Sequence, residues 1–265
     1  METVTSVDGT SIAFERSGSG PPLVLVHGTS SSGARWLALL PALSEHFTVY
    51  TVDRRGRGGS EDADEYAIER EFEDIAAVVD AVGEPVNLLG HSFGALCALE
   101  AALLTRNVRR LILYEPYLPV AGPPLYDGDM LRRFQCFLDA GDREGVVTAM
   151  FREQLKLTEP ELEELRAAPS WPMRVAAAHT IVRESWAELD YRFAAERFAD
   201  LRVPTLLMLG GDTLPELEVV TRVVDEALPA GRIVVMPGQG HLAMMTAPDL
   251  FVREVRAFLE EPARV

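Results

Sequence analysis

Short apolar runs alternate with longer amphipathic stretches over most of the chain. The start reads as a hairpin: Val4 to Val7, a turn at Asp8-Gly9, then Ser11 to Glu15. Continuous apolar runs follow at Leu23 to His27, Phe47 to Val52, Val86 to Leu89, Val108 to Tyr114, Pro204 to Leu209 and Ile233 to Met236. Runs this short, without polar alternation, fit strands covered on both faces. Helical spacing is seen at Ala34 to Leu43, Ala67 to Val82, Phe93 to Leu104, Glu216 to Ala227 and Pro248 to Leu259. The alternation predicts a mostly parallel sheet with helices on both faces.

From Pro116 to Asp200 the rhythm changes. The apolar runs stop, a Pro-rich loop spans Pro119 to Pro124, and helix-like pieces are separated by Pro160, Pro169 and Pro172. This predicts a helical cap over 116–200, inserted into a core made of 1–115 and 201–265. Its larger side chains, Tyr117, Tyr126, Phe134, Phe137, Trp171, Met173 and Trp186, are expected mainly to pack the cap, with pocket lining as the other reading.

Composition narrows the function. The 265 residues suffice for one large domain with an insertion. Against 25 Lys+Arg stand 41 Asp+Glu, a formal charge of -16 that repels nucleic-acid backbones and anionic membrane surfaces. No basic segment leads into an apolar run at the start, and no apolar run reaches membrane-spanning length, so a cytoplasmic protein is expected. Lys156 is the single lysine, a bias that fits a high-GC bacterial source. Cys97 and Cys136, the only cysteines, are both expected to pack inside rather than form a disulfide or bind metal.

The chemistry begins at Gly90-His91-Ser92-Phe93-Gly94, between an apolar run and a helical pattern. A strand that reverses sharply into a helix holds the central residue in a strained conformation and leaves no room for neighbouring Cβ atoms. That predicts Ser92 as a nucleophile at the carboxyl edge of the sheet, beside a helix N-terminus that favours negative charge. A serine hydroxyl needs a base, and His241, in the loop after the last apolar run, is the candidate. A carboxylate must orient the imidazole. Asp212, after Leu206 to Gly211, gives the chain order serine, acid, histidine and is preferred; Glu115, ending the run before the insertion, is the alternative. Asp212 in a plain turn-capping role is the competing structural reading. The backbone N–H groups of Thr29 and Phe93 are the candidate oxyanion donors, and His27-Gly28 is expected to face the substrate. The Gly-rich Asp53 to Ser60 lacks the ending of a phosphate loop and is given a scaffolding role.

These residues resemble the α/β-hydrolase fold family, in its capped esterase, lactonase and cofactor-free haloperoxidase group. His27-Gly28 resembles the family's oxyanion element, Asp53 to Ser60 its Asp-x-Arg-Gly-x-Gly-x-Ser loop, Gly90 to Gly94 its nucleophile elbow, and Gly240-His241 its Gly-His pair. The departure is at Gly210-Gly211-Asp212, one residue shorter than the usual Gly-x-x-Asp; some relatives place the acid where Glu115 stands. The resemblance implies an α/β-hydrolase fold with an eight-stranded, mostly parallel sheet and an inserted cap. It further implies a serine hydrolase acting on an ester, thioester or lactone of a small molecule, without metal or organic cofactor. Non-hydrolytic chemistry on the same fold (elimination, cyclisation or decarboxylation of a biosynthetic intermediate) and a ligand receptor are the alternative functions. A homodimer is left open as the assembly.

Overall fold

The computed structural model describes residues 1–120 and 127–262. Its eight strands are β1 (Glu2–Thr5), β2 (Ser11–Gly18), β3 (Pro22–Val26), β4 (Thr48–Val52), β5 (Val86–His91), β6 (Val108–Tyr114), β7 (Thr205–Gly210) and β8 (Gly231–Met236). They form one sheet in the order β1-β2-β4-β3-β5-β6-β7-β8. β1, β2 and β4 pair antiparallel, and every pair from β4 to β8 is parallel. This is the α/β-hydrolase fold that the motifs imply.

Every residue of β3, β4, β5 and β7 is buried, which accounts for their unbroken apolar runs. Side chains alternate between two cores: Val24 and Val26 face one, Leu23 and Leu25 the other. The helices are α1 (Leu40–Ser44), α2 (Ile68–Ala81), α3 (Phe93–Leu104), α4 (Gly128–Asp139), α5 (Arg143–Ala149), α6 (Glu159–Ala167), α7 (Trp171–Ala176), α8 (Ala178–Asp190), α9 (Pro215–Ala227), α10 (Ala243–Thr246) and α11 (Pro248–Leu259). Residues of α2, α3 and α9 cover the first core; α1, α10 and α11 cover the second. α3 is buried from Phe93 to Ala102, so its apolar residues extend around the helix rather than along one stripe.

Helices α4 to α8 lie between β6 and β7 in the chain and share a third core, including Leu131, Phe134, Val146, Phe151, Leu162, Trp171 and Ile181. Met150–Gln154, after α5, forms a turn of π-helix. Phe134 and Trp171 pack inside, Trp186 packs against them, and Phe137 and Met173 are partly exposed. Tyr126 and much of the Pro119 to Pro124 loop lie outside the described residues.

Two expectations are corrected. The single helix over Ala34 to Leu43 is instead a 3₁₀ turn, Gly33–Trp36, followed by the short α1. Pro41 has no backbone N–H and fits only the first turn of a helix, so the helical path restarts there. Cys136 is exposed on α4, whose inward positions are held by Leu131 and Phe134, whereas Cys97 is buried as expected.

The loop after β4 ties the layers together. Asp53 accepts backbone N–H bonds from Gly33 at 2.8 Å and Gly59 at 2.9 Å. Arg55 forks onto both oxygens of Asp74 on α2 at 2.7 Å. Arg54 lies 3.0 Å from Glu184 of α8 and 3.4 Å from Glu71 of α2, and Arg57 also pairs with Glu184. Arg54 and Arg57 therefore tie this glycine-rich loop to α8, while Arg55 ties it to α2 and to Asp8.

Candidate active site

Ser92 joins β5 to α3 with φ 56 and ψ -124, a left-handed conformation that is costly for any residue with a side chain. The neighbouring glycines permit it. A Cβ on Gly90 would stand 2.3 Å from the Gly94 carbonyl oxygen, and one on Gly94 would stand 2.4 Å from that of His27. Gly28 lies on the other side, where a Cβ would come within 2.9 Å of the Ser92 Cβ. The turn thus packs directly against the loop after β3.

Ser92 and His241 line one cavity of about 20 Å³, with Gly28, Thr29, His91 and Tyr117 among its walls. The π turn covers it with Met150, Phe151 and Gln154. The volume corresponds to roughly one water, so a bound substrate has to displace these side chains. The side-chain Oε1 of Gln154 is buried without a hydrogen-bond partner. No periodicity marked this turn beforehand, since a π turn differs from an α turn by one extra residue.

His241 Nδ1 lies 2.6 Å from Oε2 of Glu115, which is fully buried. Glu115 Oε1 accepts the Gly210 backbone N–H at 2.8 Å, and the Glu115 N–H donates to the Met208 carbonyl at 3.0 Å. Both carboxylate oxygens are therefore engaged, and a positive φ of 43 aims the side chain toward β7 and the histidine loop. The preferred pairing of His241 with Asp212 is corrected: Asp212 is exposed, and its backbone N–H bonds the Gln239 carbonyl at 2.9 Å. The short Gly210-Gly211 step leaves Asp212 anchoring the histidine loop through its main chain.

The loop around His241 is held from two sides. His91 places Nε2 3.0 Å from the His241 carbonyl oxygen and its ring 4.5 Å from the His241 ring. Burial, then the neighbouring His241, pulls the His91 pKa well below its ordinary value, so the ring is neutral and Nε2–H is the donor. Tyr114 donates its hydroxyl to the Gly240 carbonyl and accepts the Ala243 N–H at 3.1 Å.

His27 does not line the Ser92 cavity, unlike Gly28, which corrects the expectation for the first residue of the His27-Gly28 pair. It is fully buried, with Nδ1–H on the Gly28 carbonyl at 2.8 Å and Nε2 accepting the Arg54 N–H at 3.3 Å. Burial and then Arg54 hold its pKa well below the ordinary value. It acts as a neutral backbone clamp, while Gly28 and Thr29 reach the cavity wall. The Thr29 hydroxyl donates to Glu184 at 3.0 Å, and Phe93 lies under the Arg54 guanidinium at 4.5 Å. The backbone N–H groups of Thr29 and Phe93 bind no acceptor among the described residues. No cluster of metal-ligating side chains occurs among the described residues, and no helix there is long and apolar enough to cross a membrane.

Comparison with known proteins places this geometry in a family. The model of the alpha/beta hydrolase family matches residues 23–254. The chain is 28% identical to a pimeloyl-[acyl-carrier protein] methyl ester esterase of Aeromonas hydrophila, covering 94% of this chain and 99% of that one. Among solved structures it is similar to an alpha/beta hydrolase from Sphaerobacter thermophilus, at 38% identity and TM-score 0.86, covering 97% of this chain and 100% of the other. It is also similar to an esterase from Rhodococcus sp., at 26% identity and TM-score 0.78, covering 98% of each chain.

Proposed function

This chain belongs to the alpha/beta hydrolase family, and from that membership we propose that it is a serine hydrolase of a small-molecule ester, thioester or lactone. The observation that carries the reading is the His241 imidazole, bound to Glu115 at 2.6 Å through Nδ1 and lining one cavity with Ser92. A carboxylate on Nδ1 keeps the proton there and leaves Nε2 as the base.

In this mechanism His241 Nε2 takes the Ser92 hydroxyl proton as Oγ bonds to the substrate carbonyl carbon. The oxyanion that forms is held by the Thr29 and Phe93 backbone N–H groups, aided by the N-terminus of α3. Collapse breaks the bond to the leaving alcohol or thiol, which receives the proton from His241 and leaves an acyl-serine. Water then gives a proton to His241 and its hydroxyl to the acyl carbon. Release of Oγ, reprotonated by His241, frees the acid. Glu115 balances the imidazolium throughout. The helices of 116–200 act as the cap that selects the substrate, since the π turn already covers Ser92.

The ester named for the Aeromonas relative supports this class of bond. The test is pre-steady-state hydrolysis of a para-nitrophenyl ester: a burst stoichiometric with enzyme is expected, absent in Ser92→Ala. Full turnover by that variant overturns the nucleophile assignment.

A further inference from the structure

Three arginines of the loop after β4 have carboxylate partners: Arg54 with Glu184 and Glu71, Arg55 with Asp74 and Asp8, Arg57 with Glu184. Arg35 and Arg174 do not. Both are buried, at 9% and 4% exposure, yet among the described residues neither has a carboxylate within ion-pair distance. Arg35 donates to Ser31 Oγ at 3.2 Å and to the thioether of Met245, a weak acceptor. Arg174 donates to the Ser30 carbonyl and stacks on Phe151, and its Nε is buried with no partner. Burial, then the charge of Arg174, pulls the Arg35 pKa down, and burial brings that of Arg174 to about 10. Glu188 is a buried carboxylate that lines the small cavity together with Arg35, but among the described residues no acidic side chain forms an ion pair with either cation. A buried charge left without a counterion is costly, and an arriving anion relieves the cost.

Position gives the pair a purpose. Both side chains line a cavity of about 800 Å³ between the loop after β3 and α7. Arg35 also lines the small cavity of Ser92, so the residue borders both. The rest of the large cavity is mixed: Leu37, Ala38, Met173 and Ala177 are apolar, while Asp62 is already held by Arg183 at 2.8 Å.

We propose that Arg35 and Arg174 form an anion-binding subsite for a carboxylate on the substrate, so that the enzyme favours esters carrying a free acid group, such as half-esters of dicarboxylic acids. Each guanidinium offers a planar fork that matches a carboxylate. The apolar walls accept the hydrocarbon between the two ends, and the ester end reaches Ser92 past Arg35. This specificity rests on the serine-hydrolase reading, but the two fail separately.

The test compares mono-para-nitrophenyl adipate with para-nitrophenyl hexanoate, esters of equal acyl length. The expected kcat/KM is at least about tenfold higher for the adipate at low salt, with most of the difference in KM. Arg35→Met and Arg174→Met bring that ratio toward one, and Arg174→Lys restores part of it. Because removal of a buried guanidinium can unfold the chain, calorimetric titration of Ser92→Ala with monomethyl adipate and with methyl hexanoate gives an independent measure. Binding at least about tenfold tighter for the adipate is expected. A ratio near one in the wild-type enzyme, with a normal burst and equal affinities, overturns the subsite and leaves the nucleophile in place. Tighter adipate binding without any burst supports the subsite and overturns the hydrolase reading.

Discussion

Glu115 and His241, 126 positions apart in the chain, are joined at 2.6 Å, and the second oxygen of the same carboxylate is fixed by the Gly210 N–H. The pairing therefore sets more than one distance. With Oε1 anchored to the main chain at the end of β7, Oε2 has one direction left, and the imidazole plane follows it. The His91 contact to the His241 carbonyl fixes the other end of the residue.

Glu115→Gln keeps the shape and removes the charge that holds the imidazole tautomer. A fall in kcat of about 10² to 10⁴ is expected with activated esters. Asp212→Asn, at an exposed side chain, should change kcat/KM by less than about twofold. A larger loss in the Asp212 variant than in the Glu115 variant would reverse the assignment.

Gly28→Ala tests the contact beneath the nucleophile. Its Cβ would stand 2.9 Å from that of Ser92, closer than packed carbons tolerate, so one of the two loops must move. A drop in kcat of at least about tenfold is expected, because misplacement by about 1 Å is costly for a reacting atom. Turnover equal to wild type, with unchanged burst amplitude, would show that the loop after β3 yields freely.

Glu184 is buried between Arg54 and Arg57. Burial works against its ionisation, but the two guanidinium groups outweigh it and hold the carboxyl below the ordinary value. A depressed folded-state pKa means stability that is present above the unfolded value of about 4.3 and lost as pH falls through the folded one. Glu184→Gln should destabilise the protein by about 3–5 kcal/mol at neutral pH, as urea unfolding would read. The gap to wild type should narrow in acid; a gap that widens below pH about 4 contradicts the sign.

Thiol labelling distinguishes the two cysteines. Cys136 is exposed and should react with a disulfide reagent in the native protein within minutes, on the order expected for an open thiol. Cys97 is buried, and its pKa is pushed well above the ordinary value by that burial, so it should label only after unfolding. Two native equivalents of label would place Cys97 at an opening segment.

Much of the fold was legible because burial on both faces leaves an unmistakable pattern: β6 and α3 begin and end where the apolar runs do. The elbow was legible for a related reason, since only glycine fits beside Ser92 and the motif records that steric fact locally. The acid was not. Asp212 and Glu115 both end strands, and the choice depends on a positive φ at Glu115 and on the Gly210 N–H. His27 misled because a histidine beside a site looks chemical, whereas its two nitrogens are spent on the main chain. Arg35 and Arg174 gave no signal, because having no ion pair among the described residues is a property of the assembled neighbours.

Glu184 also bears on how molecules get in and out. One carboxylate on α8 is shared by Arg54, Arg57 and the Thr29 hydroxyl, all belonging to the strand-bearing half. Swinging the whole helical layer away would take Glu184 from Arg57, leave Arg54 with Glu71 alone, and loosen the Thr29 loop at the same stroke. The wide turn at Met150–Gln154 closes the Ser92 cavity with side chains alone, so a shift of those side chains would open it with the bolt at α8 still shut.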